Sequence, residues 1–176
     1  MTKTARTLED RLRAIEDRLE IYNLIASHPP SADTGGDYYT RQAYVEEGEL
    51  DLGRGAPMTG NETIAAITKT PAHQAAIAGG LAHFAGLPRI ELDGDRATVI
   101  SYLQILTPHP TAAPHEVPNH GVSPGFRIHR VAANRWELER TAEGWKIRRR
   151  TVRTIDGTEA PRDILRGALH SYQSVS

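Results

Sequence analysis

His83 is the residue of this chain best suited to chemistry. It stands where Gly79-Gly80-Leu81-Ala82 leads into an apolar strand. An imidazole titrates near neutral pH, so a histidine at the mouth of an apolar hairpin is a candidate general base. Other charged groups are spaced around it. Asp33 lies in Pro29-Pro30-Ser31-Ala32-Asp33-Thr34-Gly35-Gly36, where an aspartate by itself reads as an Asx-turn residue. His28 precedes the two prolines, placed either to bond the last carbonyls of a helix or to face a pocket. Arg148-Arg149-Arg150 and Arg153 fall on the last strand, where alternation sends Arg148 and Arg150 to one face and Arg149 and Arg153 to the other. A solvated or interface face is the simplest use for them. His109, His115 and His120 are interleaved with prolines between Thr107 and Pro124. Their spacing matches no helical two-histidine motif, so no metal is expected there.

What is missing narrows the chemistry. The 176 residues contain no cysteine, which removes disulfides, thiolate catalysis and Cys-ligated zinc. Lys plus Arg number 21 against 22 Asp plus Glu, so the balance gives no reason to expect nucleic acid or an anionic membrane as partner. No phosphate loop, Gly-x-Gly-x-x-Gly or Gly-x-Ser-x-Gly elbow is present. No cofactor is expected. No apolar run reaches membrane-spanning length, and the polar start of the chain lacks a signal-peptide core, so a cytoplasmic location is the expectation.

The elements that must position these residues can be read in order. Thr7 and Asp10 suit the capping of a helix that carries Leu8, Leu12, Ile15, Leu19 and Tyr22 as an apolar stripe for the core and ends before Pro29-Pro30. Residues 29–36 read as a loop. A second helix starts at Asp37 and ends before Gly48, followed by a short strand over 49–52. Asn61 caps a third helix over 62–68, and Pro71 starts an alanine-rich helical turn that ends at Gly79-Gly80. Two strands joined at Asp93-Gly94 come next, the second rich in Thr98, Val99, Ile100, Tyr102 and Ile105. Residues 107–124 form a long loop or flap. A strand over 126–141, bulged near Ala133-Asn134, turns at Glu143-Gly144 into a last strand over 145–155. A short helix over 160–172 follows, and the final residues fray. Tyr38, Tyr39, Tyr44 and Tyr102 belong to core or pocket wall. Helices segregated from an antiparallel sheet give an α+β fold, and no break divides residues 1–176 into two domains.

This layout resembles the nuclear transport factor 2-like superfamily, and within it the SnoaL-like enzymes. The likeness covers roughly residues 8–156. It rests on the helix and exit segment from Leu8 to Asp33, on His83-Phe84-Ala85-Gly86-Leu87-Pro88-Arg89-Ile90, and on Glu143-Gly144-Trp145-Lys146-Ile147-Arg148-Arg149-Arg150. The resemblance implies a cone-shaped curved sheet with the N-terminal helices packed over it. In the lindane dehydrochlorinases, scytalone dehydratases and bile-acid 7α-dehydratases of this superfamily, a histidine abstracts a proton and an aspartate orients and charges it. Carried over, His83 is the catalytic base and Asp33 its partner. His28 stands where the bile-acid enzymes place a pocket tyrosine, and Ile105 or Leu106 where they place an aspartate. Arg150 or Arg153 would hold an anionic or carbonyl group of the substrate.

Two functions follow as expectations. The first is a cofactor-independent lyase or isomerase that acts on a hydrophobic small molecule by elimination, dehydration or double-bond shift. The second is a non-catalytic small-molecule-binding or assembly module of the same fold. The resemblance also implies a homodimer or homotrimer.

Overall fold

The computed structural model describes residues 7–173. Residues 174–176, expected to fray, lie outside them. Among the described residues seven α-helices, one short 3-10 helix and nine strands follow one another, with the first five α-helices interrupted by two early strands and the remaining strands grouped after them. The main sheet is open and curled, in the order β2 (Met58–Thr59)-β1-β9-β8-β5-β3, with β4 also paired to β5. β1 (Tyr44–Asp51) runs parallel to β9 (Gly144–Thr154), where an antiparallel neighbour was expected. β5 (Arg96–Pro108), β8 (Phe126–Thr141) and β9 form an antiparallel centre.

α1 (Leu8–Ala26) begins with the expected reciprocal cap. Asp10 N–H donates to Thr7 Oγ1 and Thr7 N–H to Asp10 Oδ2, each at 3.0 Å. Its apolar stripe, however, does not pack in the core. Leu8, Leu12, Ile15, Leu19 and Tyr22 are 44–77% exposed. The helix is rotated so that Ile21 and Ile25 are buried instead. Two carboxylates set that rotation. Asp17 accepts from Trp145 Nε1 at 3.2 Å and pairs with Arg140 at 2.6 Å, and Glu20 accepts the Trp145 backbone N–H at 2.7 Å. Charge-assisted bonds to a buried indole and backbone favour this face over a stripe with no element beneath it.

Most of residues 29–36, expected as a loop, belong to α2 (His28–Thr34), closed by Gly35 at φ 70°. Prolines are compatible with a first helical turn because the N–H groups they lack have no intrahelical acceptor there. α4 (Asn61–Ala66) and α5 (Pro71–Ala78) follow close to the expected bounds, whereas α3 (Asp37–Ala43) stops four residues short of its expected end and residues 44–47, expected as helix, already belong to β1. The first strand of the hairpin is split. β3 (Ala82–Ala85) pairs with Leu103–Leu106 and β4 (Arg89–Asp93) with Arg96–Ile100, and Gly86-Leu87-Pro88 holds one residue more than β5 opposite. The 107–124 segment is a small hairpin, β6 (His115–Val117) with β7 (Gly121–Ser123). The C-terminal helix is divided into α6 (Glu159–Gly167) and α7 (His170–Gln173).

Two bulges decide which side chains face inward, and neither lies at Ala133-Asn134. One leaves His129 as an extra residue opposite Ile105-Leu106, and the other leaves Arg148 extra opposite Glu137-Leu138. An extra residue shifts the alternation of the strand by one. Ile147 and Arg150 are therefore both buried while Arg148 is exposed, which corrects the expectation that Arg148 and Arg150 share a face. The core lies on the concave side, where Val99, Leu103, Ala132, Trp136, Ile147 and Val152 meet Ile21, Ile25 and Ile64 from the helices. No helix among the described residues is long and apolar enough to cross a membrane.

Candidate active site

α2 packs across β3, and this contact brings Asp33 onto His83 from fifty residues away. Asp33 clasps the histidine twice. Its Oδ1 accepts from the ring Nδ1 at 2.6 Å and its Oδ2 from the His83 backbone N–H at 2.8 Å. The second bond fixes the carboxylate relative to the strand, so the ring orientation is set by backbone. With the proton held on Nδ1, Nε2 keeps its lone pair. Burial lowers the His83 pKa more than the Asp33 bond raises it, with Arg150 adding to the lowering. The imidazole is thus neutral near pH 7, as a base requires.

His28 opens α2, and its Nε2 accepts from Arg150 Nη1 at 2.8 Å. A guanidinium cannot accept, so the His28 proton sits on Nδ1. Its ring stands edge-on to both Trp136 and His83, at centroid distances of 5.4 and 6.1 Å. Deep burial, with Arg150 alongside, drives the His28 pKa well below the ordinary histidine value. Arg150 is only 5% exposed. Its Nε donates to Asn134 Oδ1 at 3.1 Å and its guanidinium lies 4.1 Å above the Trp136 ring, a cation–π contact. No ion pair to Arg150 is present among the described residues.

His28, His83 and Arg150 line a cavity of about 380 Å³. The volume falls in the roughly 300–1,000 Å³ range of small-molecule sites. Its walls are largely apolar, with Leu50, Ile64, Leu103, Ile105 and Val152 among them. His28, His83 and Arg150 are brought together here. Arg153 is not. It points to the other face of the sheet, where Nη1 and Nη2 reach the two oxygens of Asp51 at 2.9 and 2.8 Å. Arg150 and Val152 point in, so the next residue along the strand must point out.

The Arg153 pair has its own consequence. The Asp51 carboxyl is held down to about 2, chiefly by Arg153. A folded-state value below the unfolded one gives stability that is complete above pH ~4 and is lost as pH falls toward 2. Arg153→Met is expected to lower stability by about 1 kcal/mol at pH 7, to blunt the acid-induced loss, and to leave turnover within twofold. Urea unfolding at pH 7 and pH 3 checks this, and a large fall in turnover with unchanged stability would return Arg153 to the site.

Several lining residues carried no sequence signal. His73, from α5, bonds the Ala32 carbonyl through Nε2 at 2.7 Å, and Arg54, His129 and Arg130 also line the cavity. Arg130 follows Trp136, Asn134 and Ala132 in the inward alternation of β8, the bulge beside it brings His129 to the cavity as well, and Arg54 is placed by a turn between Gly53 and Gly55, both at positive φ. Tyr44 is buried in the cavity wall, and Tyr39 donates to the Leu24 carbonyl at 2.8 Å. Tyr38 and Tyr102 are instead 66% and 49% exposed. Among the described residues no three His, Asp or Glu side chains converge on a metal position. None of residues 108–124 lines the cavity.

The family model of the SnoaL-like domain matches residues 13–151, and the chain belongs to that family. A nuclear transport factor 2-like protein of cystatin-like fold from Novosphingobium aromaticivorans is 37% identical, with 90% of this chain and 94% of that one covered at a TM-score of 0.78. A hexachlorocyclohexane dehydrochlorinase from Novosphingobium barchaimii shares the fold at 15% identity, covering 84% and 92% of the two chains at a TM-score of 0.65. A scytalone dehydratase-like protein from Novosphingobium aromaticivorans does so at 14% identity, covering 81% and 87% at 0.61. No curated protein matches the sequence.

Proposed function

We propose that this chain is a cofactor-independent lyase or isomerase that removes a proton from a hydrophobic small molecule. The observation that carries the reading is the double clasp of Asp33 on His83 beside an unfilled, mostly apolar cavity. His83 Nε2 takes the proton from carbon, and Asp33 stabilises the imidazolium that forms. Arg150, steadied by His28, Asn134 and Trp136, faces the charge that develops on a carbonyl oxygen or departing group. Elimination, dehydration and double-bond migration all begin with that proton transfer. The dehydrochlorinase and dehydratase-like neighbours support this class of chemistry for the fold.

A non-catalytic binding module would need the cavity but not the clasp. The two readings separate in an assay of apolar compounds with an acidic C–H beside a carbonyl or leaving group, hexachlorocyclohexane included. Product formation and solvent-deuterium incorporation are followed by mass spectrometry. The rate of the reactive compound is expected to be flat above pH ~6.5 and to fall as acid protonates His83, with the midpoint displaced below that value. Absence of both product and exchange across the panel would leave the binding module as the better account, and a rate that rises with acid would remove His83 as the base.

A further inference from the structure

The charges facing the cavity are unbalanced. Among the described residues three guanidinium groups, Arg54, Arg130 and Arg150, line it, and no Asp or Glu does. Asp33 is turned onto His83. Several other arginines of the sheet find acids: Arg135 with Glu137, Arg140 with Asp17 and Asp95, Arg149 with Glu49, Arg153 with Asp51. Among the described residues neither Arg54 nor Arg130 has such a partner. The Arg130 Nε is moreover buried without any hydrogen-bond acceptor. Burial and the neighbouring Arg54 both weigh against the charge on Arg130. An unsatisfied buried donor on a cation is costly unless something supplies an acceptor.

The register shows where that acceptor would sit. Arg130 on β8 is paired with Ile105 on β5, and Ile105 with His83 on β3. The three side chains form one inward row across adjacent strands, so His83 and Arg130 start two strand spacings, about 10 Å, apart. Arg54 lies in an exposed turn and places this end of the cavity toward solvent.

We propose that the ligand of this cavity is an organic acid, an apolar skeleton whose carboxylate is held by Arg130 and Arg54 at the mouth while its body lies over Ile105 toward His83. The acid preference stands on the arginines. The statement that the far end of the same molecule carries the proton taken by His83 rests on the function proposed above.

Calorimetric titration tests it with benzoate, 2-naphthoate and anthracene-9-carboxylate, each against its primary amide, which keeps the shape and removes the charge. At least one acid is expected to bind the unmodified protein roughly tenfold or more tightly than its amide, as a charge-assisted contact allows. Arg130→Gln and Arg54→Gln should each shrink that preference, and Arg54, in an exposed turn, keeps the test open if Arg130→Gln does not fold. His83→Gln should retain it. Loss of the preference in either arginine variant supports the inference. Acids that bind no better than amides, no binding by any of the six compounds, or a preference kept by every arginine variant that folds would overturn it. A protein that selects acids yet turns over no compound would keep this inference and remove the enzymatic reading.

Discussion

His83→Gln is expected to reduce turnover to the uncatalysed background while the protein folds as before. Glutamine has no basic nitrogen, but the backbone N–H at position 83 still donates to Asp33 Oδ2, so the joint between α2 and β3 survives. Asp33→Asn is the more informative partner to this variant. Two donors, the His83 N–H and Nδ1–H, converge on one carboxylate. An amide offers a single oxygen and must present its NH₂ to one of them. The backbone donor cannot change, whereas the ring can move its proton. The amide oxygen therefore goes to the backbone and its NH₂ faces Nδ1, which becomes an acceptor. The ring proton then sits on Nε2, where the lone pair is needed. Turnover should fall on the order of 10³–10⁴-fold with little change in melting temperature, the scale that a wrong histidine tautomer produces elsewhere. Circular dichroism and single-turnover kinetics check it. Activity above a tenth of the original in Asp33→Asn would mean that the clasp is structural.

Arg150→Met should separate function from stability. Arg150 is buried, donates to Asn134 and His28, and stacks on Trp136, but has no carboxylate partner. A charge held without its counterion is a cost to the folded state, and apolar replacement of buried ions is often neutral or stabilising. Methionine keeps most of the packing on Trp136 and gives up the bonds to Asn134 and His28, worth about 1 kcal/mol each, against the cost of the unpaired charge. The melting temperature should stay level or rise. Turnover should fall about 10²–10³-fold, the usual loss when a preorganised donor to developing charge is removed. A collapse of stability with kcat per folded molecule unchanged would make Arg150 a structural residue.

The comparison of sequence with structure divides along the range of the interactions. The Thr7–Asp10 cap, the turn after Asp93 and the span of β8 depend on residues a few positions apart, and all three were legible. The apolar spacing along α1 was legible too, but not its use. Periodicity reports that a helix has an apolar face, and says nothing of which face other elements will cover. Here Asp17 and Glu20, meeting Trp145 from 125 or more residues away, decide it. The helical state of residues 28–34 was hidden because proline suits both a loop and a first helical turn.

By itself the sequence determined the family, the α+β class and the residue types available for proton transfer, because caps, turns, strand periods and the motifs around His83 and Trp145 are local properties of the chain. Only the tertiary structure decided that Asp33 grips His83 at two points, that Arg150 faces the cavity while Arg153 faces Asp51, and that Arg130 and Arg54 stand over the mouth without acids. For Asp33 the physical reason is the packing of α2 on β3, and for Arg150 it is the bulge at Arg148. One extra residue in a strand exchanges its two faces, and that residue exists only relative to the register of a neighbouring strand.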